Sequence, residues 1–236
     1  APQAFDEDMH IAVVGGKRVR IRLADDLKEE RSHSVSLSAD LYHNFGRVQT
    51  NLLVEGFYTI LDDVFALRDL EDTDDGGKIK ERYNGSGAAV RGFNVEGRAI
   101  FTRWFELQAG VTLQQSRYKE SEQWSEDADV PPVRRMFRTP DAYGYFTASF
   151  KPVRNFTADL TGTCTGSMLV QHMAGSGVAQ DAAVSTPSFF DMNVRLSYDL
   201  RIYKEITLQL YGGVQNLFNA YQKDFDKGAD RDSGYI

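Results

Sequence analysis

Cysteine is nearly absent from this 236-residue chain, with Cys164 the single example. That excludes an internal disulfide and any cysteine-rich metal site. Long apolar runs are missing as well, and nothing approaches the ~18–20 consecutive apolar residues that a membrane-crossing helix needs. The opening Ala1-Pro2-Gln3-Ala4-Phe5-Asp6 has neither the basic start nor the apolar centre of a secretory signal. The expectation is therefore a leader already removed or a start within a longer protein. Positive charge is in deficit: 27 Lys and Arg stand against 34 Asp and Glu, for a net −7, which argues against nucleic acid as a partner. Ser, His and Asp occur without a nucleophile elbow or other catalytic signature. No catalytic residue is assigned, and the chain reads as a non-enzyme. The histidines, His10, His33, His43 and His172, are scattered without metal-ligand spacing, so no metal or cofactor is expected. The acidic run Glu71-Asp72-Thr73-Asp74-Asp75-Gly76-Gly77 lacks the glutamate that closes a calcium loop. With Asp224, Asp226, Asp230 and Asp232 it reads as solvated loop carboxylates, with a weak calcium site as the alternative. Gly85-Ser86-Gly87 is not followed by Gly-Lys-Ser/Thr and is no phosphate loop.

What the chain does have is aromatics and alternation. Fifteen Phe and eleven Tyr favour strands. From Val35 the sequence reads Val-Ser-Leu-Ser-Ala-Asp-Leu-Tyr, which places Val35, Leu37, Ala39 and Leu41 opposite Ser34, Ser36, Ser38 and Asp40. A period of two means a strand with one apolar face. The pattern returns in seven further segments, with apolar sets running through Val48–Ile60, Phe93–Phe101, Phe105–Leu113, Phe146–Phe150, Phe156–Met168, Phe190–Tyr198 and Ile206–Phe218. Across these eight strands the charges fall on one face only: Asp40, Glu55, Glu96, Arg98, Glu106, Asp159, Asp191 and Arg195. The other face holds no charge and few polar groups, Thr50 and Asn216. The predicted class is all-β, an antiparallel up-and-down meander.

Such segregation fits an apolar face turned to lipid, where an Arg or Lys at mid-depth costs ~2–4 kcal/mol. It fits equally a soluble up-and-down barrel with its apolar face inside. Strand length, connection length and aromatic placement separate the two. Most runs are about 10–13 residues, against the ~9–11 a tilted strand needs to cross the hydrocarbon and the ~5–6 of an average strand. Connections alternate short (near 43–47, 102–104, 151–155 and 199–204) and long (62–88, 117–141, 169–188 and from 219), as in an outer-membrane barrel. Aromatics of the apolar face gather at strand ends: Phe101, Phe105, Phe150, Phe156 and Tyr198 by the short turns, and Tyr58, Phe93, Phe190 and Phe218 toward the long loops. These features favour transmembrane barrel wall, with a small-hairpin segment over residues 1–32 on the long-loop side and about eight wall strands over 33–236. In that barrel the eight charged residues line the lumen, and Glu96, Arg98, Asp191 and Arg195 are expected to form a hydrated ion-pair lattice.

Four motifs then resemble TonB-dependent outer-membrane receptors. Gly213-Val214-Gln215-Asn216-Leu217-Phe218-Asn219-Ala220-Tyr221 is similar to that family's penultimate strand and loop. Arg138-Thr139-Pro140-Asp141-Ala142-Tyr143-Gly144 resembles the start of another of its strands. Asn84-Gly85-Ser86-Gly87 with Val90-Arg91-Gly92-Phe93-Asn94-Val95-Glu96 resembles a third, and the Phe57-Tyr58 to Asp62-Asp63 segment a fourth. The order agrees over about 33–236, the C-terminal part of the barrel domain. The resemblance implies an outer-membrane location, surrounding lipid, a plug domain, TonB as energy coupler, and a bulky scarce nutrient such as a ferric siderophore, haem, cobalamin or a glycan. Tyr83, Tyr118, Trp124 and Phe225 are the candidate ligand-stacking aromatics, with loop packing as the plainer alternative. The family has a plugged barrel of ~22 strands, whereas here no plug, TonB box or aromatic-ended last strand is read. The alternatives are a passive porin-like or structural outer-membrane barrel, and a soluble ligand-binding barrel.

Overall fold

The computed structural model describes residues 12–14, 17–72, 78–125, 127–172, 174 and 178–222. Among these it has strands and no helix. In chain order the strands are β1 (Ala12–Val14), β2 (Lys17–Leu23), β3 (Arg31–Phe45), β4 (Val48–Asp62), β5 (Phe65–Asp72), β6 (Lys78–Asn84), β7 (Ala88–Thr102) and β8 (Phe105–Glu122). They continue with β9 (Val133–Arg135), β10 (Ala142–Phe150), β11 (Phe156–Thr165), β12 (Leu169–His172), β13 (Ala182–Ser185), β14 (Phe189–Tyr203) and β15 (Ile206–Val214).

The main sheet runs β3-β4-β7-β8-β10-β11-β14-β15, with every neighbour antiparallel and short β9 alongside β8. This is the predicted meander. Pairing register carries the sequence alternation across the whole sheet, because residues opposite one another share a face. One row reads Leu41, Leu52, Gly97, Ala109, Phe146, Gly162, Met192. The neighbouring row, on the other face, reads Asp40, Leu53, Glu96, Gly110, Tyr145, Thr163, Asp191. A one-residue slip anywhere would put charge into the apolar face.

Among the described residues nothing covers that apolar face. Leu37 is 82% exposed, Val35 72% and Phe93 63%. The few buried apolar residues are Ala24, Ala88, Val130, Ala148 and Val170, mostly around the long connections. A soluble barrel would bury its apolar rows inside, so this single layer counts against that alternative. The end strands β3 and β15 are exposed along their full lengths.

Aromatic clusters form at both strand ends. By the short turns Phe105 stacks on Phe101 at 5.2 Å and on Phe150 at 4.7 Å, with Trp104 at 6.0 Å. At the far end Phe190 meets Phe218 at 6.1 Å. Within the wall, rings lie over glycines: a Cβ on Gly110 would stand 2.7 Å from the Tyr145 ring, and one on Gly162 would collide with the Phe146 ring. Both pairs are cross-strand partners, so a bare backbone beneath each ring lets it lie flat.

The structure differs from the sequence expectation at several strand ends. Strand β8 runs 18 residues, to Glu122, well past its expected end. The last strand stops at Val214 instead of reaching Phe218, because Asn216 and Asn219 take positive φ (both 51°), a conformation that Asn tolerates. Asn216 is therefore no wall residue. Its side-chain oxygen accepts from Ala220 N at 2.7 Å and its amide donates to Ala220 O at 3.0 Å, closing a turn. Strand β11 stops at Thr165 rather than Met168, and Gly166 N donates to Ala142 O at 2.7 Å. The long connections also hold structure of their own, in the β5–β6 and β12–β13 hairpins. Strands β1 and β2 pair antiparallel, and β2 pairs in parallel with β6, giving a mixed sheet β1-β2-β6-β5. No local pattern announces a parallel pair between segments so far apart in sequence.

Candidate functional site

On the polar face the carboxylates meet donors, most of them from a neighbouring strand and some from their own. Asn94 donates to Glu55 at 2.9 Å and accepts from Thr112 at 2.8 Å. Glu96 accepts from Gln108 at 2.8 Å and from the Tyr145 hydroxyl at 2.6 Å. Asp40 accepts from Asn51, and from Tyr42 at 2.9 Å. Ser149 donates to Asp159 at 2.6 Å, and Asn193 to Asp191 at 2.9 Å. Arg98 binds Glu106 at 2.6 Å. Arg195 lies opposite Asp159 in register, yet its guanidinium sits over the Tyr211 ring, 4.6 Å from the centroid. The eight charged residues thus share one surface, and Arg98–Glu106 is an ion pair within it. The expected ion-pair lattice is in the main a ladder of neutral donors to carboxylates. Sequence charge could not reveal this, because register, and not charge, selects Asn94, Gln108, Ser149 and Tyr145 as partners. Asp191 Oδ1 is buried and has no hydrogen-bond partner.

At the long-loop end the structure brings together two of the four candidate aromatics. The Tyr83 hydroxyl donates to Glu122 at 3.3 Å, and the Arg68 guanidinium lies 4.8 Å from the Tyr83 ring centroid. Arg68 Nε also donates to Glu81 at 2.7 Å. Tyr118 lies on β8, the strand that ends at Glu122. Burial raises both phenol pKa values above the usual 10.0, and the Glu122 charge adds to the effect. Glu122, Arg68 and Glu81 come from segments distant in sequence, and no motif marked them.

Trp124 is set apart. It packs edge-on against Phe137 at 5.4 Å, with its indole N–H buried and without an acceptor. Phe225, Thr73–Gly77 and the carboxylates Asp224, Asp226, Asp230 and Asp232 lie outside the described residues. Among the described residues no three His, Cys, Asp or Glu side chains gather as a metal site.

The sequence motifs become turns that fix the loops. Asn84 accepts from Lys28 N at 2.7 Å and donates to Lys28 O at 3.0 Å and Asp63 O at 2.7 Å, tying the N-terminal segment to the β4–β7 connection. Gly87 takes φ 86°, and any Cβ there would strike the Leu61 carbonyl. Arg138, at φ 55°, donates its N–H to Leu169 O at 2.8 Å. Gln114 donates to Pro140 O at 2.9 Å and Arg135 pairs with Asp141 at 3.1 Å. The β8–β10 and β11–β14 connections are further joined where Ser125 donates to Asp181 at 2.6 Å and Gln180 to Asp127 at 2.9 Å. Hydrogen bonds from Asp129 N–H and Gln180 hold the Asp127 carboxyl below its usual pKa. Lys119 pairs with Asp62 between the upper ends of β8 and β4, and that bond lowers the Asp62 pKa.

Residues 1–217 match the family model described as TonB dependent receptor-like, beta-barrel. No curated protein matches the chain. Among solved structures, the siderophore receptor PirA from Pseudomonas aeruginosa superposes with a TM-score of 0.59 at 13% identity, covering 94% of this chain and 35% of its own. The ferric-catecholate import receptor Fiu from E. coli K12 gives 0.54 at 18% identity, covering 83% and 24%. The FrpB iron transporter from Neisseria meningitidis gives 0.54 at 15%, covering 91% and 32%. At these identities the likeness concerns the fold alone. The chain spans between 24% and 35% of the length of these three structures.

Proposed function

The chain belongs to the TonB-dependent receptor-like β-barrel family, and from that premise we propose that it forms wall and extracellular loops of an outer-membrane receptor. The parent receptor takes up a scarce, bulky nutrient with energy coupled through TonB. One observation carries the membrane part of this reading: an apolar face, continuous in register across eight antiparallel strands and charged only toward their long-loop ends, has no other described residues packed on it. Lipid is the solvent that suits such a face, and its strands then need closed pairing, since hydrocarbon cannot satisfy an open edge. Further strands beside β3 and β15 supply that closure. Residues 33–236 are thus part of the barrel, and residues 1–32 belong to its extracellular side.

In this reading the ladder of Glu55, Glu96, Asp159 and Asp191 faces a wet lumen and the plug domain. Tyr83 and Tyr118, grouped about Glu122, are the aromatics best disposed to meet ligand. Trp124 is the less accessible of the described candidates, and Phe225 completes the set. The nutrient class is a ferric siderophore, haem, cobalamin or glycan. The chemistry is capture and passage, with no bond made or broken.

The test is uptake of labelled candidates by cells in which the full-length protein is the sole receptor, with and without TonB, alongside separation of outer membranes on a density gradient. Uptake that is saturable, TonB-dependent and outer-membrane-localised supports the reading. Uptake indifferent to TonB would return the porin alternative, and a soluble periplasmic pool would return the ligand-binding barrel.

A further inference from the structure

We infer that the short-turn rim of the wall is a binding surface for anionic phospholipid headgroups. The four short turns join β3 to β4, β7 to β8, β10 to β11 and β14 to β15, so antiparallel order puts them all at one end. Every turn carries a cation: Arg47, then Arg103, then Lys151 and Arg154, then Lys204. All five are exposed, and none of them forms an ion pair among the described residues. Glu205 is the one carboxylate within these turns. This excess of positive charge stands in a chain whose net charge is −7.

A bulky apolar side chain lies within each turn or at the strand end beside it. Phe45 is 65% exposed, Trp104 47%, Val153 63% and Tyr203 61%. Trp104 leans toward the Phe101–Phe105–Phe150 stack of the apolar face, and the Lys204 ammonium lies 5.2 Å from the Tyr203 ring. Consecutive turns are two strand spacings apart, about 10 Å. The repeated unit is therefore a ring or branched side chain at the hydrocarbon boundary with an unpaired cation beside it. That pairing suits a molecule with an acyl body and a negative head. A soluble acidic protein has no use for the aromatic band, whereas a phospholipid uses both halves.

The inference rests on the membrane reading above, and the experiment separates the two. Native mass spectrometry of the full-length protein, purified in detergent, counts bound phosphatidylglycerol and phosphatidylcholine of matched acyl chains. Phosphatidylglycerol should bind at least about fivefold more tightly, the worth of one cation near an anionic surface. The variant R47Q/R103Q/K151Q/R154Q/K204Q should lose this preference, while R22Q/R117Q at the opposite end should keep it. About 1 M salt, which shortens the screening length to ~3 Å, should collapse the preference of the unmodified protein and needs no variant to fold. Equal binding of the two lipids by a membrane-inserted protein would overturn the inference and leave the membrane reading standing. A preference that survives the five substitutions, or that vanishes in R22Q/R117Q instead, would overturn it as well. A protein that stays soluble without detergent and binds neither lipid would overturn both.

Discussion

Gly162 shows how tightly single positions are specified in a sheet that has no core. The Phe146 ring occupies the place of its missing side chain, so Gly162→Ala forces a large ring to move. Overpacking of this kind costs about 1–3 kcal/mol. Urea titration of the reconstituted protein should show that loss, and Phe146→Leu in the same chain should recover most of it. If Gly162→Ala is neutral, the ring does not rest on the glycine. Tyr83 and Tyr118 offer a second test at this scale. Their pKa values are raised in the fold, so the folded state holds these protons more tightly than the unfolded chain does. Stability contributed by the neutral phenols is complete below the ordinary tyrosine pKa and is lost as pH rises through the folded values. Spectrophotometric titration should therefore show fewer phenols above 10.0, by two, in Y83F/Y118F than in the unmodified protein. Alternation identified the wall residues in advance, whereas the meeting of Tyr83 and Tyr118 near Glu122 depends on which loops lie side by side.

Among elements, the two long connections after β8 and β11 hold each other through Asp181. Its carboxylate accepts from Ser125 of one connection at 2.6 Å and from Ala174 N of its own at 2.7 Å. Ser125 is buried, so removing the acceptor leaves its hydroxyl short of a partner, at a cost of about 1–3 kcal/mol. Asp181→Ala should speed amide exchange in both connections together and leave the wall strands unchanged. Acceleration confined to the β11–β14 connection would show that the two loops are not coupled. The motif turns belong to this scale too. Asn216, Asn219, Arg138 and Gly87 all sit at positive φ, and the Asn and Gly positions were open to recognition as turn formers. The β2–β6 parallel pair was not, since no turn or period encodes contact between segments separated by two whole wall strands.

For the whole molecule, the decisive question is which face meets lipid. Val95 lies near mid-strand on the apolar face, paired with Val54 and Val111. Thr147 lies on the polar face between Gln108 and Thr161. Val95→Arg should destabilise the membrane-inserted protein by about 2–4 kcal/mol, while Thr147→Arg should cost far less. Folding titrations into lipid vesicles measure both. A reversed order would turn the wall inside out, moving lipid to the carboxylate face.

Alternation and turn chemistry belong to the sequence by itself. The eight strands, their order, and the separation of Asp40, Glu55, Glu96 and Arg195 from Leu41, Leu52, Phe93 and Leu196 follow from a period of two broken at Gly, Asn and Pro. These are local properties, fixed by where successive side chains point along one strand. Only the tertiary structure decided which donor each carboxylate meets, which glycines lie beneath rings, and that the N-terminal hairpin joins β6. Those outcomes depend on register between strands and on loops meeting in space, and a linear chain carries no short-range mark of either.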